Sequence, residues 1–233
     1  MIWRVPRIWE GGEVWILGGG PSVTQQFDIP NSVVQEVIEG KSPPSVYSPY
    51  MEGIHKKHVI GINISYLIGE WIDVVFFGDG GFFLQNQQRL AEFPGLKVCC
   101  TPHVEKHTWV KYLKRDTQKG RGISENPNTV CWNHNSGSAA ISLAVHMGAK
   151  RIILVGFDMK LDEKSYQHWH NLYARGKIVE PKRIMKLPFA RHLRGFSEIA
   201  KDAKKMGIEI INASPSSAIL EFPKCTVREL LNG

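Results

Sequence analysis

Short apolar runs that end on glycine or a polar residue alternate along this chain with stretches of helical spacing. Glu13-Val14-Trp15-Ile16-Leu17 is apolar after its first residue and leads directly into Gly18-Gly19-Gly20-Pro21-Ser22. That pattern predicts a buried strand feeding a tight glycine turn. Helical spacing follows through Val33-Val34-Gln35-Glu36-Val37-Ile38, and the Pro- and Ser-rich stretch from Gly40 to Tyr50 reads as a loop. Further strands are predicted at His58-Val59-Ile60-Gly61-Ile62-Asn63, at Asp73-Val74-Val75-Phe76-Phe77-Gly78-Asp79, and from Leu96 to Cys100, with a helix from Gln85 to Phe93 before the last. Lys111 to Asn128 carries many charges and few apolar residues, and is read as a mobile excursion that would serve as a lid.

The second half has the same grammar. Ser136 to Met147 is a small-residue helix with serine at its start, and Gly148-Ala149-Lys150 ends it. Arg151-Ile152-Ile153-Leu154-Val155-Gly156 is an apolar strand, Phe196 to Met206 a helix closed by Gly207, and Ile208-Glu209-Ile210-Ile211-Asn212 a last strand. Strands alternating with helices imply βαβ units and a mostly parallel sheet covered on both faces. The expectation is a single α/β domain over residues 1–233, doubly wound and Rossmann-like.

Composition changes this picture little. Apolar residues make up 42% and charged residues 22% of 233 residues, ordinary values for a globular protein. No apolar run approaches the roughly 20 residues that cross a bilayer, and the N-terminus lacks a secretory pattern, so cytoplasmic residence is expected. Cys99, Cys100, Cys131 and Cys225 form no CxxC pair, and free thiols are expected. The formal charge of +7 favours anionic ligands without choosing among nucleotides, acidic glycans and nucleic acid. Its densest part, Arg175 to Arg194, lies within a basic, substrate-side stretch over 160–194.

In open α/β sheets, ligands sit outside the carboxyl ends of the strands, where the strand order reverses. The polar candidates fall at those ends. Gly18, Gly19, Gly20, Pro21 and Ser22 follow one predicted strand, Asn63 a second, Asp79 a third and Asp158 a fourth. Glycines let backbone N–H groups approach phosphate oxygens, Pro21 stiffens the turn, and Ser22 can cap the next helix or donate to phosphate. A tight strand–helix turn without ligand is the plain alternative. Asn63 and Asp79 suit a ribose or a base, or ordinary turn chemistry at a strand end. Asn135-Ser136-Gly137 opens a helix whose positive end suits a phosphate. His168 and His170 share one face of an extended segment, and Asp158 or Asp162 would join them around a metal. Spacing fixes no third ligand, and no metal is assigned. His192 lies among Lys186, Arg191 and Arg194, which would hold its imidazole neutral.

Taken in order, Gly18 to Ser22, Asn63, Asn135-Ser136-Gly137 and Gly156-Phe157-Asp158 resemble the family-42 bacterial sialyltransferases. They also resemble the related motility-associated, flagellin-modifying glycosyltransferases and their phage-encoded relatives. The resemblance runs at motif level from about Val14 to Ser217. It implies that the glycine loop cradles a donor phosphate, that Asn63 contacts the nucleotide, and that Ser136-Gly137 lies against the same donor. It further implies a general base at His192 and leaving-group assistance from Tyr166, the second of two family tyrosines, with Lys160 standing in place of the first. Gly19 replaces an asparagine of the family loop. The implied reaction is metal-independent glycosyl transfer to an acceptor hydroxyl of a glycan, a protein or modified DNA. The nucleotide-sugar, with a CMP-sugar favoured, is a substrate and no cofactor is required; a homo-oligomer is compatible. Two other classes compete. Archaeal-type pterin diphosphokinases carry a related Gly-Pro-Ser core and would need a metal and a nucleoside triphosphate. A non-catalytic module would grip nucleic acid through the basic segment.

Overall fold

Residues 14 to 17 send their side chains alternately into two separate cores. Val14 and Ile16 join one cluster, Trp15 and Leu17 the other, so the strand reads as continuously apolar because both of its faces are buried. The computed structural model describes residues 1–118, 121–173 and 187–233. Its strands are β1 (Glu13–Leu17), β2 (His58–Ile62), β3 (Val74–Phe77), β4 (Leu96–Cys99), β5 (Lys111–Tyr112), β6 (Lys114–Asp116), β7 (Thr129–Cys131), β8 (Arg151–Val155) and β9 (Glu209–Asn212). Seven of them form one sheet in the order β5-β4-β3-β2-β1-β8-β9, and every pairing in it is parallel. β6 and β7 pair separately.

The helices are α1 (Ser22–Gln26), α2 (Asn31–Glu39), α3 (Gly80–Glu92), α4 (Ser136–His146), α5 (Phe189–Leu193), α6 (Phe196–Met206) and α7 (Val227–Asn232). Ala139, Ile141 and Leu143 of α4 and Phe196 and Ile199 of α6 pack into the Val14/Ile16 core. Val23, Val37, Phe82, Phe83 and Leu90, from α1, α2 and α3, pack into the Trp15/Leu17 core. The protein is therefore the expected α/β fold: a parallel, doubly wound, Rossmann-like sheet with helices on both faces. The chain runs outward from β1 to β5, then returns to lay β8 and β9 on the other side of β1. The order reverses between β1 and β8, so the crevice outside their carboxyl ends is the place for a ligand.

Three segments differ from expectation. α3 starts at Gly80 rather than Gln85, because Asp79 caps it by accepting the Gly81 N–H at 2.7 Å. The Pro/Ser-rich stretch holds a 3₁₀ helix over Pro44–Ile54, pinned by buried Tyr47, Met51 and Ile54. The supposed excursion from Lys111 to Asn128 supplies β5 at the sheet edge and β6 of the small sheet. Leu113 and Ile123 are buried in the core, and Asp202 accepts the N–H groups of Gly122 and Ile123 at 2.8 and 2.9 Å. Its described residues are thus built into the fold rather than forming a structureless excursion. Of the basic stretch, residues 174–186 lie outside the described residues, while Arg191 and Arg194 are exposed on and just after α5. All four cysteines are free thiols, and no helix among the described residues is long and apolar enough to cross a membrane.

Candidate functional site

The carboxyl ends of β1 and β8 are locked together by backbone contacts that only glycines allow. Gly18 N–H donates to Val155 O at 2.7 Å and Gly20 N–H to Gly156 O at 2.9 Å. A Cβ on Gly18 would stand 2.7 Å from Gly156 O, and Gly156 itself has φ +73°. Into this turn comes the buried carboxylate of Asp158. Its Oδ2 accepts the Ser22 hydroxyl at 2.9 Å and the Ser22 N–H at 3.3 Å. Ser214, just beyond β9, completes a directed chain in which Gly156 N–H donates to Ser214 Oγ, 2.9 Å from Ser22 Oγ. With Ser22 donating to Asp158, the Ser214 hydroxyl is left to donate to Ser22. Burial raises the pKa of Asp158, against the lowering effect of its two bonds from Ser22.

These contacts reassign part of the loop. Gly18, Gly20, Pro21, Ser22 and Asp158, all expected at the nucleotide site, are buried: the Gly18 and Gly20 N–H groups bond Val155 O and Gly156 O, and Ser22 bonds Asp158. The Ser22 N–H is satisfied by a carboxylate, which occupies the place an anion would take. Gly19 is the half-exposed member of the loop, and its N–H makes no hydrogen bond among the described residues. Two further ligand candidates are helix caps. Asp79 is exposed and caps α3, while the Asn135 side chain accepts the Gly137 and Ser138 N–H groups at 2.8 and 3.4 Å. Gly137 is buried against the Phe157 ring, and Ser136, the first residue of α4, stays half-exposed.

The Asn63 side chain caps no helix. The residue follows β2 with φ +51°, a left-handed conformation, and its Oδ1 is buried without a hydrogen-bond partner among the described residues. Tyr173, which the sequence did not single out, lies beside it. Tyr173 is 36% exposed as a whole, yet desolvation of its hydroxyl end pushes that group above the usual phenol range, while the adjacent Asn63 amide and Ile64 backbone pull it down. Its ring stands edge-on to both His168 and His170, at 5.1 and 4.7 Å between centroids. The available signal was the aromatic run His168-Trp169-His170 continuing to Tyr173.

The two histidines stack on each other at 5.3 Å and an interplanar angle of 5°. His168 Nδ1 faces Gly19 O at 3.3 Å and must carry the proton there. Trp169 donates its N–H to Gly19 O and its indole N–H to Gly18 O, each at 3.1 Å. His170 Nδ1 accepts the Leu172 N–H at 3.2 Å. The segment thus buttresses the glycine loop, and no metal-holding cluster occurs among the described residues. Burial, helped by His168, lowers the His170 pKa to about 3. Because the folded value lies below the unfolded one of about 6.5, the unfolded chain takes up the proton first. The stability that neutral His170 permits is full above pH 6.5 and is lost as pH falls toward 3. Urea denaturation at pH 6, 5 and 4 should show a loss of about 1.4 kcal/mol per pH unit from this residue. His170→Gln should flatten the slope, and an unchanged slope would remove His170 as its source.

His192 sits on α5, half-buried. Burial, then Arg191, His134 and His168, lower its pKa to about 4, so it is neutral at physiological pH. A chain of neighbours therefore runs from Asn63 through Tyr173 and His168 to His192. Tyr166 lies apart in a tight turn, with its N–H on Asp162 Oδ1 at 2.7 Å, and no hydrogen bond joins it to the loop among the described residues. Lys160 is exposed and its charge acts on Asp158. No protein-family model matches the sequence, and no curated protein or solved structure gives a significant match.

Proposed function

We propose that this protein is a glycosyltransferase that uses a nucleotide-sugar donor without a metal. The observation that carries the reading is the chain of neighbours joining the unpartnered Asn63 Oδ1 to a neutral His192. A buried acceptor without a partner at a strand's carboxyl end fits a sugar hydroxyl or a base N–H of a donor. Gly19 N–H and Ser136 are the remaining groups for the donor. His192 takes the proton from the acceptor hydroxyl through its unprotonated nitrogen as that oxygen attacks the anomeric carbon. The bond from that carbon to the nucleotide phosphate breaks, and Lys160 stabilises the departing anion, with Tyr166 as the second leaving-group residue. A CMP-sugar is the favoured donor on the resemblance of the motifs to family-42 sialyltransferases, and cytoplasmic residence accords with such a donor.

The test is a thermal-shift panel of CMP, CDP, UMP, UDP, GDP and ATP, each with and without EDTA. Stabilisation by a cytidine or uridine nucleotide that survives EDTA is expected. At a hundred times Kd it should amount to about 2.7 kcal/mol. Stabilisation by ATP with metal alone would move the assignment to a diphosphokinase, and no shift with any nucleotide would overturn the donor site.

A further inference from the structure

At the carboxyl ends of β3 and β4 lies a cationic shelf to which the transferase reading assigns no role. The Arg115 guanidinium carbon stands 3.9 Å from the centroid of the Trp132 ring, and Arg115 Nε–H donates to Cys100 O at 2.6 Å. Trp132 is wedged against Gly78, where a Cβ would fall 2.0 Å from Trp132 Cζ3. The guanidinium is therefore held in one plane. It is half-buried and makes no ion pair among the described residues, since Asp116 is taken by Arg121 and Asp79 by its own helix cap. A part-buried, oriented guanidinium without a counter-charge has a fork matched to an oxyanion.

The chain beside it is strained. Asn133 and His134 are consecutive non-glycine residues with φ +44° and +57°. Asn133 has a structural reason to be there, because its Nδ2–H donates to Gly122 O at 3.0 Å and Gly195 packs on it. His134 has none among the described residues. It is exposed, makes no hydrogen bond among the described residues, and lies close enough to His192 to lower that residue's pKa. A strained residue that does nothing for the fold points to a ligand.

We propose that Arg115 and His134 form a subsite for an oxyanion group, phosphate or carboxylate, carried by the acceptor; the word acceptor rests on the transferase reading. Cys100 follows β4, three strands from β1, which puts the shelf roughly 14 Å from the glycine loop at about 4.8 Å per strand.

The first experiment uses inorganic phosphate alone, titrated by thermal shift against chloride at equal ionic strength. Phosphate is expected to stabilise the wild-type protein, and the apparent Kd should rise about tenfold in both Arg115→Lys and His134→Gly. Without phosphate, His134→Gly should melt about 2–4 °C higher as the left-handed strain is relieved, so its weaker binding is not unfolding. No phosphate-specific shift in the wild type, or a Kd within twofold of wild type in both variants, would overturn the subsite. This comparison contains no nucleotide and so stands apart from the transferase reading. A repeat with saturating CMP assigns the source: a phosphate shift that persists belongs to the acceptor side, whereas one that CMP abolishes would make the shelf part of the donor site and overturn the proposal.

Discussion

Gly20→Val is expected to yield a protein that does not fold. A Cβ at position 20 would lie 1.9 Å from Asp158 Oδ2 and 2.6 Å from Gly156 O. Neither neighbour can withdraw. The carboxylate is fixed by Ser22, which is tied in turn to Ser214, and the Gly156 carbonyl is fixed by the Gly20 N–H itself. Relief would require breaking the β1–β8 junction at the middle of the sheet, a loss above about 4 kcal/mol against a typical domain stability of about 5–15 kcal/mol. Gly19→Ala is the control, because its Cβ would meet only the His168 imidazole, at 3.1 Å. That side chain can turn aside, and the variant should keep its circular-dichroism spectrum with a small fall in melting temperature. A Gly20→Val protein that melts like the wild type would show that the junction is not as the structure has it.

That contrast marks what the sequence could and could not convey about the loop. Five residues between an apolar strand and a helix, rich in glycine, announce a turn in which backbones come close. They do not say what the backbones approach. Here the approach is mainly internal, to Gly156 and Asp158 just beyond β8, 136 residues away for the Ser22–Asp158 pair. Gly156-Phe157-Asp158 was legible as a strand end, yet its pairing with the loop depends on β8 returning beside β1, which local pattern does not encode.

The same division recurs elsewhere. β1 and β8 match the apolar runs at Glu13–Leu17 and Arg151–Val155, because strands buried on both faces need every residue apolar. Edge strands carry no such signature. Lys111–Tyr112 and Lys114–Asp116 look like a solvated excursion, since an edge needs few apolar residues and tolerates charge. Asp79 and Asn135 were recognised as polar residues at the right end of the sheet, but Asp and Asn are also the preferred helix caps, and here capping is what they do. Asn63 has the same chemistry and the opposite outcome: it is the first residue of a short 3₁₀ helix, Asn63–Ile68, and its Oδ1 has no partner among the described residues. Tyr173 was missed because its partner Asn63 is far away in sequence, whereas Tyr166 sits in a turn closed on Asp162.

The second large effect should come from His192→Ala, with turnover falling about 10²- to 10⁴-fold, the usual contribution of a positioned general base. The side chain is half-buried on a five-residue helix and makes no hydrogen bond among the described residues, so its removal takes little from the fold. No hydrogen bond joins it to Gly19 or Asn63 among the described residues, so nucleotide Kd should stay within about twofold of wild type while kcat collapses, as expected when a group acts only in the transition state. The pH profile gives a sharper check. Burial and the neighbouring Arg191, His134 and His168 hold the imidazole near a pKa of about 4. The base is then already unprotonated at pH 5, and the rate in the wild type should stay flat from pH 5 to 8 and fall only below that range. Its low basicity weakens each proton transfer, and relief of the crowding charge should therefore matter: Arg191→Gln is expected to move the acidic limb upward in pH. Release of nucleotide from a nucleotide-sugar, followed in single turnovers, reads all three quantities. If His192→Ala turns over at the wild-type rate, the proton goes elsewhere, and His168, whose Nε2 is left unprotonated by the Nδ1–H bond to Gly19, becomes the group to test.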